Sequence, residues 1–266
     1  MVALEGGDSP SPRKPRLVIE AWTSAGIPLE IEEPEPVAVD DFALAHDREH
    51  VERILAFKSM NGFGNYDTEV AASLPYTTGS MLDAARWSIR TRSMAAAPCS
   101  GFHHAEWDRA MMFCTFNGLM VTACKLRQEG LAARVGILDC DYHFGNGTVD
   151  IIRKLGAESW VRHITATKGY RRDETFLQDL PGMLAGFSDC GVLLYQAGAD
   201  PHVDDPFGGF LTTEELALRD KIVFSECRKM GLPVAWNLAG GYQDDFDKVI
   251  AIHVNTALAC ARSFPG

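Results

Sequence analysis

Three short apolar runs, Arg134–Leu138, Cys190–Gln196 and Pro233–Leu238, are each followed by a segment that combines glycine with reactive side chains, and this pattern constrains the fold more than any other feature. Unbroken apolar stretches of strand length are what a parallel strand buried on both faces requires, because alternation would leave one face wet. Helical patterns fill the intervals. Gly118–Glu129 follows Asn117, a good N-cap, and stops at Gly130. Leu211–Met230 opens with Thr212 and Glu215 at capping-box spacing and stops at Gly231, with Pro233 just beyond. Gln243–Ala261 supplies a last helix. Strand and helix in alternation predict an α/β chain with a mostly parallel central sheet and helices on both faces. No repeat or linker divides the chain. Residues 1–266 are expected to form one catalytic domain, with 1–14, polar and rich in Pro, Gly and Ser, as a flexible N-terminus.

Composition narrows the function. The chain has 266 residues, enough for a sizeable core. No apolar run reaches the roughly 18 residues that a membrane span needs, and Met1–Pro15 holds no apolar leader, so no membrane partner is expected. Seven cysteines without a CxxC pair predict free thiols in a reducing compartment, the cytoplasm. A net charge of −11 argues against non-specific nucleic-acid binding, which rests on phosphate neutralisation.

The strand ends carry the chemistry. After the first run comes Asp139-Cys140-Asp141-Tyr142-His143-Phe144-Gly145-Asn146-Gly147-Thr148, after the second Gly198-Ala199-Asp200, and after the third Gly240-Gly241-Tyr242. Ligands of open α/β sheets bind outside the carboxyl ends of the strands, so these tails converge. Asp141 and His143 point the same way in an extended segment, and this oxygen–nitrogen pair suits zinc or ferrous iron. Asp200 as third ligand would leave positions open for water and substrate. His103-His104, upstream beside Gly101, can carry protons near neutral pH, and the Tyr242 hydroxyl can stabilise an oxyanion. Alone, a D-x-D-x-H segment is as easily a helix cap with a loop histidine. Four segments in this order make a site the better account. His46 and His50, spaced one helical turn apart, are read as surface or core residues, and Arg171–Glu174 as a solvated turn.

Taken together these segments closely resemble the histone deacetylase superfamily, including its bacterial acetylpolyamine deacetylases. His103-His104-Ala105 with Phe113-Cys114 and Asn117 matches the double-histidine segment. Asp139-x-Asp141-x-His143-x-Gly145-Asn146-Gly147-Thr148 matches the metal motif. Gly198-Ala199-Asp200 with Asp205-Pro206 matches the third-ligand loop, and Gly240-Gly241-Tyr242 the tyrosine loop. The resemblance implies an arginase/deacetylase-like three-layer fold and a zinc-dependent hydrolase that removes an acyl group, acetyl foremost, from acyl-lysine or an acetylated small amine. It implies zinc on Asp141, His143 and Asp200, and His104 as general base. His103 follows as its cationic or acid partner, oriented by Asp139, with Asn146 behind His104 and Tyr242 donating to the carbonyl. A structural potassium near Asp139, Asp141, His143 and Thr165 is also implied. So are a rim aspartate at Asp67 and substrate-tunnel positions at Phe102, Met112 and Phe113.

Three departures stand out. Met112 replaces the family's usual glycine in the tunnel wall, and its bulk is expected to narrow the tunnel. Arg171–Glu174 replaces a Pro-Gly turn, and the N-terminal strand is short or missing. A binuclear ureohydrolase on the same fold would need further Asp or His ligands. A non-catalytic acyl-binding module would have lost Tyr242, His104 or a metal ligand, and none is lost.

Overall fold

The computed structural model describes residues 11–171 and 175–263. Helix α1 (Lys14–Ser24) leads into an extended, proline-broken stretch, then α2 (Val39–Phe42), α3 (Arg48–Leu55) and the long α4 (Thr68–Thr91). The rest alternates: β1 (Met94–Ala97), α5 (Gly118–Gln128), β2 (Val135–Asp139), α6 (Asn146–Leu155), β3 (Val161–Thr165), α7 (Thr175–Ala185), β4 (Val192–Gly198), α8 (Thr213–Met230), β5 (Val234–Ala239) and α9 (Phe246–Ser263). The strands form one all-parallel sheet in the order β1-β5-β4-β2-β3.

Helices cover both faces, giving three layers and two cores. On one side Trp22, Phe176, Leu180, Phe224 and Val249 from α1, α7, α8 and α9 pack under the sheet. On the other, Phe42, Ile54, Met81, Leu119 and Ile151 from α2 to α6 do the same. Along β4 the side chains divide by parity: Leu193, Tyr195 and Ala197 enter the first core, and Val192 and Leu194 the second. β4 and β2 are buried throughout, which is why they read as unbroken apolar runs.

The expected strands and helices lie within a few residues of the observed ones. Sequence reading missed β1 and β3. β1, Met-Ala-Ala-Ala, lacks β-branched residues and is held as a strand by pairing with β5. No strand precedes β1 among the described residues. Its outer edge borders an apolar groove of about 950 Å³ lined by Trp22, Trp87, Leu74, Phe63 and Phe113. The N-terminal boundary needs correction. Residues 1–10 lie outside the described residues, but α1 begins at Lys14, whose side chain is fully buried. Residues 11–14 therefore belong to the folded domain.

Helix ends follow their caps. Asn117 Oδ1 accepts from Met120 N at 3.1 Å at the start of α5. Thr212 Oγ1 accepts from Glu215 N at 3.3 Å while Glu215 Oε2 accepts from Thr212 N at 2.7 Å, closing the box on α8. Thr212→Ala opens that box. It should cost about 1 kcal/mol and lower Tm by about 2–4 °C, readable by thermal denaturation, with metal content unchanged.

Candidate metal centre and proton-carrying pair

Parallel register aligns the reactive ends. Asp139 of β2 pairs with Gln196 of β4, and Gly198 of β4 with Ala239 of β5, so Asp141, Asp200 and Tyr242 emerge side by side at one edge. β1 runs in the same direction and delivers Ser100–His104 to that edge. Close approach of the strands demands glycine. A Cβ on Gly198 would sit 2.6 Å from Asp141 Cα. Gly240 has φ +40° and passes so near Asp200 that any side chain would strike the carboxylate.

Asp141, His143 and Asp200 place one donor each within 4.8 Å of the others. His143 Nδ1 lies 3.1 Å from Asp141 Oδ1 and 2.9 Å from Asp200 Oδ2. Two buried carboxylates facing one imidazole nitrogen form a donor set that fits a divalent cation. Hydrogen bonds to Asp141 and Asp200 hold the His143 imidazolium up to about 10, against the effect of burial. Asp141 is buried, which favours its neutral form, yet the neighbouring His103 and His143 charges keep it well below the usual carboxylate range. Asp200 moves the other way, pushed up by burial and by the Asp141 charge.

The adjacent histidines are in opposite states. His103 Nδ1 donates to Asp139 Oδ2 at 2.7 Å, and Nε2 lies 3.5 Å from Asp141 Oδ1. Burial favours its neutral form, but the Asp139, Asp141 and Asp200 carboxylates outweigh it and hold the imidazolium up to about 9. His104 is lowered to about 4 by burial and by the charge on His103. Its Nδ1–H donates to Asn146 Oδ1 at 2.6 Å, while Asn146 Nδ2 donates to Glu106 Oε1 at 3.0 Å, which fixes the amide orientation. The tautomer follows: His104 carries its proton on Nδ1 and presents a bare Nε2.

Tyr242 hangs on the Gly-Gly turn, its backbone N donating to Asp205 Oδ2 at 2.8 Å. Burial and the Asp141 and Asp200 charges keep its phenol protonated. Phe207 and Phe113 flank the ring, with centroids 4.9 and 6.2 Å from it. Phe207 also stands edge-on to His143.

Other expected site residues have structural roles of their own. Asp67 Oδ1 accepts from Glu69 N and Val70 N at 2.8 and 3.0 Å, so it caps α4. Phe102 is buried in the core under α5, where Gly118 leaves room for its ring. Met112 is half exposed. The physical reason for glycine at this position is the backbone. Met111 and Cys114 close a tight turn whose two central residues, Met112 and Phe113, have φ +45° and +66°. A type I′ turn imposes that conformation and glycine bears it best. Thr165 Oγ1 accepts from Gly145 N at 3.3 Å, and the Asp141 carbonyl accepts from Thr167 Oγ1. Two of the residues expected around potassium, Thr165 and Asp141, thus each take part in a hydrogen bond within the protein. Arg172, Asp173 and Glu174 lie outside the described residues. His46 is a core residue, its Nδ1–H donating to Glu106 O at 2.9 Å and its Nε2 accepting from Asn117 N at 2.9 Å.

Sequence reading also missed supporting residues. Gln196 donates to Asp139 Oδ1 at 2.9 Å and accepts from Phe102 N at 3.0 Å, joining the histidine segment to the metal strand. Buried Lys14 donates from Nζ to the carbonyls of Ala239 and Gly240, beneath the tyrosine turn. Phe207, following the quoted Asp205-Pro206, carried its signal as an aromatic in a ligand loop.

The chain belongs to the histone deacetylase family: the family model "Histone deacetylase domain" matches residues 9–157. Among similar proteins is an uncharacterized protein of Picosynechococcus, 29% identical over 60% of this chain and 60% of its own length. A "Probable deacetylase" of Methanothermobacter thermautotrophicus is 25% identical over 86% of this chain and 79% of its own. "Acetylpolyamine amidohydrolase 1" of Pseudomonas aeruginosa is 24% identical over 73% of this chain and 65% of its own. The chain thus spans less than two thirds of some of these relatives. Among solved structures, an acetylpolyamine aminohydrolase from Burkholderia pseudomallei superimposes with a TM-score of 0.74 at 18% identity, covering 94% of this chain and 90% of that one. The HD domain of HDA15 gives 0.76 at 20% identity, covering 100% and 86%. The fold is arginase/deacetylase-like. No helix among the described residues is long and apolar enough to cross a membrane.

Two expected outcomes follow. A metal and a proton compete for His143 Nδ1, and below about pH 10 the proton is present, so affinity should climb with pH by about tenfold per unit through neutrality. Calorimetry at pH 7 in buffers of different ionisation enthalpy should register about one proton released per divalent ion bound. No release would remove Nδ1 from the ligand set. Separately, Met112→Gly should relieve a left-handed conformation that costs an L-residue about 1–2 kcal/mol, partly offset by glycine's unfolded-state entropy. A small rise in Tm with unchanged acyl-length preference is expected, and a shifted preference would place Met112 in the tunnel wall.

Proposed function

We propose that this chain is a zinc-dependent deacylase that hydrolyses a linear amide, releasing an acyl group, acetyl foremost, from acyl-lysine or an acetylated polyamine. The observation that carries the reading is the geometry of two adjacent histidines beside a three-ligand cluster: His103 Nδ1 on the Asp139 carboxylate and His104 Nδ1 on the Asn146 amide oxygen.

Zinc on Asp141, His143 and Asp200 would supply Lewis acidity, polarising the amide carbonyl and acidifying a water. The chain's own groups carry the remaining steps. His104 Nε2, unprotonated at neutral pH, takes the proton of the attacking water. Asn146, itself held by Glu106, keeps the imidazole turned so that the gained proton sits on Nε2 and the charge is shared with Asn146 Oδ1. His103, an imidazolium bridged to Asp139 and Asp141, offsets the negative charge that builds on the carbonyl oxygen. Tyr242, kept protonated, donates its hydroxyl to that oxygen. The departing amine leaves neutral once a proton returns to it from His104, restoring the starting state.

Phe113 and Phe207, on either side of Tyr242, are suited to grip the methylene chain of a lysine or polyamine. The relative named as an acetylpolyamine amidohydrolase supports a small cationic amine as substrate, and a net charge of −11 favours attracting one. The structure adds no support for a potassium ion.

The test is a panel of acetyl-lysine peptides, acetylpolyamines and longer acyl-lysines, each assayed with the metal-free and zinc-loaded protein. Turnover should require zinc. Tyr242→Phe should retain zinc and fold while kcat falls by about 10²–10³. Near-parental turnover in that variant would make Tyr242 a packing residue and remove the proposed oxyanion donor.

A further inference from the structure

A fully buried ion pair lies beside the strand ends that carry the metal cluster and takes no part in the steps above. Arg219 and Asp220, consecutive on α8, are both fully buried. Arg219 Nε donates to Asp220 Oδ1 at 2.9 Å. Asp220 is held in turn by the Tyr195 hydroxyl and by Thr256 Oγ1, the latter at 2.6 Å from Oδ2. The guanidinium then faces the sheet. Arg219 Nη1 donates to Gly198 O at 2.6 Å and lies 3.4 Å from Cys140 O.

Those two carbonyls occupy a particular place. The ladder between β2 and β4 ends where Cys140 N donates to Gln196 O at 3.0 Å. Beyond it both backbones turn into their ligand loops: Cys140 directly precedes Asp141, and Gly198 stands just before Ala199-Asp200. The strands are so close there that a Cβ on Gly198 would meet Cys140 O at 2.8 Å. Each carbonyl has lost its ladder partner and is buried, where an unpaired acceptor costs about 1–3 kcal/mol. One planar donor in fixed geometry serves both.

We propose that Arg219 is a positioning residue for the metal, resting on the metal-centre reading above. By tying Cys140 O to Gly198 O it sets the spacing of the Asp141 and Asp200 carboxylates that project from the next turns. Asp220 aims the guanidinium and balances its charge, so that a full cation can be buried behind an anionic cluster without neutralising the ligands. A lysine would bring the charge but lacks the Nε–H that Asp220 holds, so its head group would not be aimed at the two carbonyls by the same fork. Residues that orient metal ligands from outside typically alter metal affinity by about 10–100-fold.

The experiment compares Arg219→Lys, the double variant Arg219→Met/Asp220→Asn, and Thr256→Val with the parent. The double variant removes both charges together and so leaves no orphan ion if Arg219→Lys fails to fold. Thr256→Val removes a bond to Asp220 Oδ2 only, leaves Oδ1 held by Tyr195 and Arg219 and touches neither carbonyl, and so serves as the control for ordinary loss of stability. Each protein is stripped and measured for zinc affinity against a chelator, for the visible bands of its cobalt(II) form, and for Tm without metal. Expected are zinc affinities about 10–100-fold weaker and displaced cobalt bands in the two Arg219 variants. Thr256→Val should lose Tm while its affinity stays within about twofold and its bands stay put. Parental affinity and bands in a folded Arg219 variant would overturn the proposal. So would a loss in Thr256→Val that tracks its loss of Tm. A parent that binds no zinc would instead overturn the metal-centre reading itself.

Discussion

Two carboxylates projecting from neighbouring strand ends into one buried point cannot both remain ionised unless positive charge is arranged around them, and much of this fold is arranged to supply it. Asp141 and Asp200 are almost wholly buried. The His143 ring stands between them and the charged His103 against Asp141, while Arg219 holds the backbones beneath. Lys14 completes the set from α1, its amine lowered only to about 8: burial disfavours the charge, and Asp200, Asp141 and Asp205 restore it. The first described helix is thus docked by an electrostatic requirement of a site formed more than a hundred residues later. Taking away any one of these cations leaves buried negative charge uncompensated, which is more damaging than losing a surface pair.

The same field divides the histidine pair. His103 and His104 are chemically identical and adjacent, with ring centroids 4.0 Å apart, yet one is held charged and the other neutral. The difference lies in what stands behind each ring. His103 Nδ1 meets a carboxylate, Asp139; His104 Nδ1 meets an amide, Asn146. An aspartate at position 146 would pull the His104 ring toward the charged form and weaken it as a base at neutral pH. Two titratable groups pushed apart by their surroundings are how one site handles both directions of proton traffic.

How far the sequence reveals all this depends on which interaction places a residue. Asp141, His143 and Asp200 were legible because their strands are buried on both faces and therefore read as apolar runs, and parallel register carries whatever follows them to one edge. The caps at Asn117 and Thr212 were legible because capping is local. β1 was not, since four residues of Met and Ala carry no strand signal and only β5 makes them one. Lys14, Gln196 and Arg219 were missed for the same reason. Their roles come from backbone carbonyls or side chains far away in the chain, and nothing in the local pattern marks a lysine at the start of a helix as buried. At Asp67 and Met112 the sequence showed motif positions but not the backbone roles the structure adds, a helix cap in one case and a left-handed turn in the other.

Where a residue sits has a physical meaning for what it can do. The groups proposed to move protons or hold a metal sit on strand ends, in segments locked by ladder bonds, caps and a buried guanidinium. The groups at the mouth sit on loops: Phe113 in a turn of strained backbone, Phe207 with 57% of its surface exposed. Rigid elements tolerate little change at their ends, because a shift of one residue in register would turn Asp141 away from Asp200. Loop aromatics can be exchanged or re-aimed without disturbing the sheet. On the proposed reading the reaction is therefore set by the sheet, and the choice of amine falls to the loops that carry Phe113 and Phe207.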